Sequence, residues 1–333
     1  MLRFFGLAPV AAILLAATPA SANDSTAALG AGGLTLTQSA DVRMASEDLF
    51  VSRKEIRVAY SFANESGSPI TTRVAFPLPE ADLSQLGDVD LNWPTDNPLN
   101  IVKFVVTVDG RAVHPELEQK AFFKGQDITD LLRRLGAPLG YPRHGFAETL
   151  MALSPAAKQE LTQRGLADFV GDYPHALWTV KDTFHWQQTF PADRPLKVEH
   201  SYKPVVGGSF IASTEFPELY RKSAFFQTFC IDKTTEAAIG RMLHAAAKRS
   251  GQSGLLLSWY VDYVLTTGRN WKGPIGHFRL TVDKGKPENV VSFCMAGVRK
   301  SGPTTFTAEL TDFVPDHDLH VMIVEPMPPE ANQ

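Results

Sequence analysis

Apolar residues at every second position constrain this chain more than any other feature, because that spacing buries one face of an extended strand and leaves the other in water. Ile56, Val58, Tyr60 and Phe62 alternate with Glu55, Arg57, Ala59 and Ser61. Ile70, Thr72, Val74 and Phe76 repeat the pattern after the turn-forming Asn64–Pro69, and Pro77-Leu78-Pro79 stops it. These two runs are expected to pair as a hairpin. Val102, Phe104, Val106 and Val108 form a further run that ends at Asp109-Gly110, a dipeptide suited to the positive φ angles of a tight hairpin turn. Phe184, Trp186, Gln188 and Phe190 share one face of the next run. Leu196, Val198, His200 and Tyr202 share a face after the short connection Pro191–Pro195, which fits a second hairpin. Five more strand-like runs fall at about 255–267, 275–283, 290–296, 304–313 and 319–324, a spacing that fits a sandwich. The fold class is therefore mainly β with helical insertions, arranged as two β-sandwich-like domains.

The period changes to a helical one in two places. Asp127–Asp130 opens a helix carrying Leu131, Leu132 and Leu135, with Gly136 as a stop, and a second helical stretch covers about 146–166. Inside it Ser154-Pro155 has the form of an N-cap followed by proline at the first helical position. Asp232 caps a longer helix reaching about Arg249, with Ile239, Met242, Leu243 and Ala246 on one stripe. The expected division is a leader at 1–22, an N-terminal sandwich at 23–225 with a helical insertion at about 117–172, a helix plus C-terminal sandwich at 226–325, and a Pro-rich tail at 326–333.

The leader reads as a secretory signal peptide. Arg3 precedes the uncharged run Phe4–Ala17, and Ala20-Ser21-Ala22 supplies the small-x-small pattern that signal peptidase cuts after. The competing reading is an uncleaved membrane anchor, for which fourteen apolar residues are short of the roughly 18–20 that span a bilayer. Cleavage after Ala22 predicts a mature chain beginning at Asn23 outside the cytoplasm, in the periplasm. No later run is apolar and long enough to span a membrane. Removing Arg3 leaves 31 Lys+Arg against 36 Asp+Glu, a balance that disfavours nucleic acid as a partner. In an oxidising compartment the two cysteines, Cys230 and Cys294, are expected to form a disulfide rather than two buried thiols.

Catalytic patterns are missing. No serine sits in GxSxG, no HExxH occurs among the nine histidines, and Gly30–Gly33 is too short for a dinucleotide fingerprint. The most chemical-looking segment is Asp316-His317-Asp318-Leu319-His320. In extended backbone Asp316, Asp318 and His320 face one way and form a weak candidate for a divalent metal. Metal sites usually draw ligands from several elements, so a polar turn is the expected role, with no metal and no cofactor. His200 lies with the apolar set and is expected to be a hydrogen-bonded core histidine. Trp271 sits in a loop with Arg269 and Lys272, a grouping suited to contact with a partner or a sugar ring, although the Trp271 side chain itself fits a plug at the end of the sandwich better.

Several segments together resemble a known family. They are Asn23-Asp24-Ser25, Gly32-Gly33-Leu34, Met44, Glu47-Asp48-Leu49, Val74–Pro79, Val108-Asp109-Gly110 and Gly125–Thr129. The stretch Trp186–Gly207 with Phe190-Pro191, His200, Tyr202 and Pro204 belongs with them, as do Thr267-Gly268 and Asn270–Ile275. Across nearly the whole mature chain they are similar to the uncharacterised bacterial domain-of-unknown-function family 4424. That resemblance implies a Gram-negative periplasmic protein and carries no functional residue with it. Val58–Pro79 is also similar to the opening of the vault/inter-α-trypsin (VIT) sandwich domain, which implies a sandwich and an association with protein interaction.

The expected function is a non-enzymatic interaction or envelope-associated binding module, with an envelope protein or glycan as partner. Two alternatives stand beside it: a hydrolase or metal-dependent enzyme with an inter-domain cleft, and a carbohydrate or small-ligand binding protein.

Overall fold

The computed structural model describes residues 23–30, 33–85, 94–95, 97, 99–140, 145–171 and 174–328. The expected signal peptide and most of the Pro-rich tail lie outside the described residues. Two large sheets face each other. One runs in the order Gln126–Asp127, Glu116–Phe123, Thr179–Phe190, Ile70–Pro77, Ser25–Gly30, Gly33–Thr37, with Ala81–Asp82 on the Thr179–Phe190 strand. The other has eight strands in the order Arg299–Lys300, Thr305–Phe313, Ile275–Asp283, Val42–Ser52, Ile56–Asn64, Leu196–Tyr202, Val105–Val108, Arg111–Val113.

The inward positions of both sheets meet in a core rich in aromatic rings. Phe104 stacks on Phe76 at 4.9 Å and on Phe184 at 4.5 Å, and Phe62 meets Phe190 edge-on at 5.5 Å. Each ring that is fully buried contributes roughly 1.5–3 kcal/mol through removal from water. A smaller sheet, Gly207–Ala212, Leu255–Tyr263, Leu319–Pro326, Val290–Ser292, has two buried faces. Val261, Tyr263, Val321 and Ile323 join the main core, whereas Leu256, Met322 and Val324 pack under the helix Lys233–Ser250 through Ile239 and Leu243.

Two expected hairpins are corrected. Ile56–Asn64 and Ile70–Pro77 lie in opposite sheets, and so do Thr179–Phe190 and Leu196–Tyr202. Both connections are arches that cross the sandwich at the same end, where Asn64 Nδ2 donates to the carbonyls of Ser68 and Phe190. An arch and a hairpin share the same alternation and turn residues; they differ in whether the two strands bond to each other or pack face to face. The Asp109-Gly110 hairpin forms as read, with Val108 opposite Arg111 and positive φ at both turn residues.

The helical insertion is also narrower than expected. Residues 117–123 belong to the strand Glu116–Phe123, and the helices are Thr129–Leu135, Phe146–Ala152 and Pro155–Gln163. Gly136 takes the left-handed conformation that ends the first, and Ser154 caps the third by accepting from the Ala157 N–H. The eight-stranded sheet takes strands from both sides of residue 225. Ile275–Asp283 runs parallel to Val42–Ser52, from His277 opposite Ser46 to Asp283 opposite Ser52. Cys230 and Cys294 are bridged, which ties the start of the long helix to the chain just after the edge strand Val290–Ser292. Closing a 64-residue separation corresponds to roughly 4 kcal/mol in the chain-entropy model. Among the described residues no helix is long and apolar enough to cross a membrane.

Candidate functional site

Among the described residues two places gather chemically capable side chains, one sealed and one open. The sealed place lies where the first described strand meets the short 3-10 turn Thr266–Asn270. Asn23, Asp24, Ser25 and Glu47 have no exposed surface, and Tyr60, His200, Tyr263 and Thr267 have almost none. The Asn23 backbone N–H donates to Thr267 Oγ1 at 2.5 Å, and that hydroxyl donates to the Asn23 carbonyl at 2.6 Å. Asn23 Nδ2 donates to Glu47 Oε2 at 3.0 Å, and Asn23 Oδ1 accepts from Tyr60 Oη at 2.5 Å. Tyr60 and Tyr263 hydroxyls lie 3.0 Å apart.

Burial sets the charge states. It pushes the Glu47 carboxyl up to about 8, against downward pulls from the Asn23 amide and the Tyr263 hydroxyl. It holds Asp24 well above the usual carboxylate range, with Glu47 adding to the effect, and it pushes the His200 imidazole down to about 3. His200 Nε2 and Asp24 Oδ2 are 3.5 Å apart, yet neither makes a hydrogen bond among the described residues. Because burial drives the acid up and the base down, both are neutral and the contact is not an ion pair. His200 is thus a core histidine as expected, but without the expected hydrogen bond: Phe76, Phe104, Tyr60 and Trp186 surround it edge-on at 4.9–5.5 Å.

Trp271 belongs to this sealed region. It is 3% exposed, its Nε1 donates to the Asp24 carbonyl at 2.6 Å, and its ring packs 4.5 Å from Phe62. The grouping of Trp271, Arg269 and Lys272 as one contact loop is therefore corrected, since the indole is a core plug. Lys272 reaches Glu65 at 2.9 Å, and Arg269 is exposed and bonds the Thr266 carbonyl.

The open place is a groove of about 380 Å³ beside the disulfide. Leu265, Leu310, Phe313 and Val314 supply apolar surface, and Asp312, Asp316 and His317 line it together with Cys294-Met295-Ala296. Val314 is 57% exposed, a large apolar side chain in water. The candidate metal set does not converge. Asp318 Oδ1 accepts from Leu265 N, Thr266 N and Thr266 Oγ1 at 2.8–3.0 Å, so it caps the 3-10 turn. His320 Nδ1 meets Asp262 Oδ1 at 2.7 Å across the small sheet, and that hydrogen bond raises its pKa. Asp316 bonds His317 at 2.5 Å, and this partner together with the more distant Arg269 charge holds its carboxyl below the usual range. Among the described residues no group of three or more His, Cys, Asp or Glu is placed to hold a metal.

The family model described as domain of unknown function (DUF4424) matches residues 22–322. The chain belongs to that family. Asn23, Asp24, Glu47, His200, Thr267 and Trp271, which lie in the segments that carry the resemblance, come together in the sealed core of this DUF4424 chain. No curated protein matches it. A crystal structure of a "putative nutrient binding protein" from Legionella pneumophila subsp. pneumophila is similar at a TM-score of 0.45 and 16% identity, over 91% of this chain and 70% of that one.

Glu47, Tyr60 and Tyr263 escaped the sequence reading as site residues. The signal for Glu47 is concealed by a bulge between Met44 and Ser46, which shifts Glu47 onto the same face as Val42 and Met44.

Proposed function

We propose that this DUF4424 chain is exported to the periplasm, cut after Ala22, and works there as a non-enzymatic binding module that contacts an envelope protein through the groove at Leu310–Leu319. The observation that carries the reading is that groove. Its volume of about 380 Å³ lies within the roughly 300–1,000 Å³ of sites that hold small ligands or anchoring side chains. Its exposed apolar residue Val314 sits beside Asp312 and Asp316. An apolar side chain flanked by a Lys or Arg of the partner suits that lining. The disulfide fits an oxidising compartment.

Binding is favoured over hydrolysis because the groups best suited to acid–base work, Glu47, Asp24 and His200, are shut off from any substrate. A glycan is disfavoured because Trp271, the ring read as suited to stack on a sugar, is in the core. The test is crosslinking in cells with a photoreactive residue at position 314. One discrete adduct is expected, lost by about tenfold or more in Asp316→Lys, the loss that about 1.4 kcal/mol of binding represents. Retention of the same adduct in Asp316→Lys together with Asp312→Lys would remove the groove from consideration.

A further inference from the structure

Asn23 has no exposed surface, its side-chain amide donates to Glu47, and its chain neighbour Asp24 is equally buried; no Lys or Arg reaches either carboxyl group among the described ion pairs. The seat of Asn23 is built for a close fit. Thr267 Oγ1 both accepts from the Asn23 nitrogen and donates to the Asn23 carbonyl. A Cβ on Gly268 would come to 3.0 Å from Asn23 Nδ2 and 3.1 Å from Ile275 Cδ1, so a larger residue there would press the Asn23 amide aside by a few tenths of an ångström. Asn270 Nδ2 holds Ser25 Oγ at 2.9 Å, and Trp271 Nε1 holds the Asp24 carbonyl. Thr267, Asn270 and Trp271, in and just after one turn, therefore hold three consecutive residues of the N-terminal segment.

Burying a carboxylate without a counter-charge is strongly unfavourable, and the group then stays protonated. Here two such groups, Asp24 and Glu47, lie together, and Asp24 has both side-chain oxygens without a hydrogen-bond partner among the described residues. The nearest basic side chain, His200, is itself neutral. A small cation with several donors is the kind of group that would favour the charged form of these acids.

We propose that the α-ammonium group of Asn23, created when the Ala22–Asn23 bond is cut, is that cation, and that it locks the N-terminus into the core against Glu47 and Asp24. This rests on the export-and-cleavage reading above. In the cut, signal peptidase directs water to the Ala22 carbonyl carbon; the hydroxyl stays on Ala22, the C–N bond breaks, and the Asn23 nitrogen takes a hydrogen from water and then a proton from solvent. An amide with one N–H becomes an ammonium with three, at the same position in the fold. Cleavage in this scheme completes the native structure as well as releasing the chain, because an ammonium at Asn23 gives the two acids a charge partner that an amide nitrogen does not.

The experiment begins with protein recovered from the periplasm. Intact mass and N-terminal sequencing are expected to show Asn23 first. A start at any other residue overturns the cleavage reading and the proposal together. With Asn23 first, an amine-acylating reagent near neutral pH is expected to modify its α-amine at least ~10-fold more slowly in the folded protein than in urea, with surface lysines as internal controls. Equal rates overturn the proposal alone. A second measurement separates a counter-ion from a merely snug fit. One alanine added ahead of Asn23 is expected to lower Tm, and to lower it less than half as much in a Glu47→Gln background. The same drop in both backgrounds overturns the ion pairing. Should Glu47→Gln fail to fold, the acylation rates decide.

Discussion

Asp24 Oδ2 and His200 Nε2 lie 3.5 Å apart with both side chains fully buried, and burial disfavours the charged form of each. An acid and a base in contact usually exchange a proton; here the common cost of desolvation keeps it on the acid. Stability should therefore depend on pH through groups that never meet solvent in the native state.

The sign follows from which state binds more protons. Glu47 moves from its ordinary 4.5 to about 8 on folding, so between those values the folded chain holds the extra proton and stability falls as pH rises. Asp24 acts in the same direction. His200 moves from 6.5 to about 3, so there the unfolded chain holds the extra proton and stability falls as pH drops through that window. The facing Tyr60 and Tyr263 hydroxyls are pushed upward and stay protonated throughout. For protein carrying an extension ahead of Asn23, urea denaturation at stepped pH should show stability declining from pH 6.5 to 8, and Glu47→Gln should flatten that limb. In protein that starts at Asn23 the limb should already be shallow, since a neighbouring ammonium lowers the Glu47 pKa.

Trp271→Ala should cost about 3–5 kcal/mol, the range for removing a buried aromatic. The ring fills space between Phe62 and Phe190, and its N–H satisfies the Asp24 carbonyl. Chemical denaturation checks this, and a loss below about 1 kcal/mol would contradict the packing described.

Two glycine substitutions should have opposite signs. A Cβ on Gly276 would meet the Ala45 carbonyl at 2.7 Å, where the parallel pair crosses the bulge, so Gly276→Ala should destabilise by about 1–3 kcal/mol. Gly240, within the helix Lys233–Ser250, has nothing within 4 Å of its added Cβ, so Gly240→Ala should stabilise by roughly 0.5–1 kcal/mol. Thermal unfolding of the two variants side by side tests both.

The Cys230–Cys294 bridge should lower the intact mass of non-reduced protein by two hydrogens and leave no alkylatable thiol. Cys294→Ser should reduce stability by up to about 4 kcal/mol. Because the Ile275–Asp283 strand pairs with Val42–Ser52, we further expect residues 23–225 and 226–325 to unfold in one transition. Hydrogen exchange that protects these two strands to different final levels would instead separate the two parts.

Local chemistry was legible in the sequence because it acts over a few residues. Asp232 caps its helix by accepting from Thr235 N, Asp109-Gly110 turns its hairpin, and the two cysteines are bridged. Alternation identified the buried faces of Ile56–Asn64 and Leu196–Tyr202, because a strand has the same two faces whatever it pairs with. The choice of partner was decided only in three dimensions. Strands on either side of Asn64–Pro69 went to opposite sheets, and Ser46 found His277. The sealed core depended on the same level of structure. A single extra residue between Met44 and Ser46 turned Glu47 inward, and Asn23 reached Thr267 from the far end of the chain. Periodicity counts positions along one segment, so it carries no record of a one-residue bulge or of which distant segment supplies the other half of a buried contact.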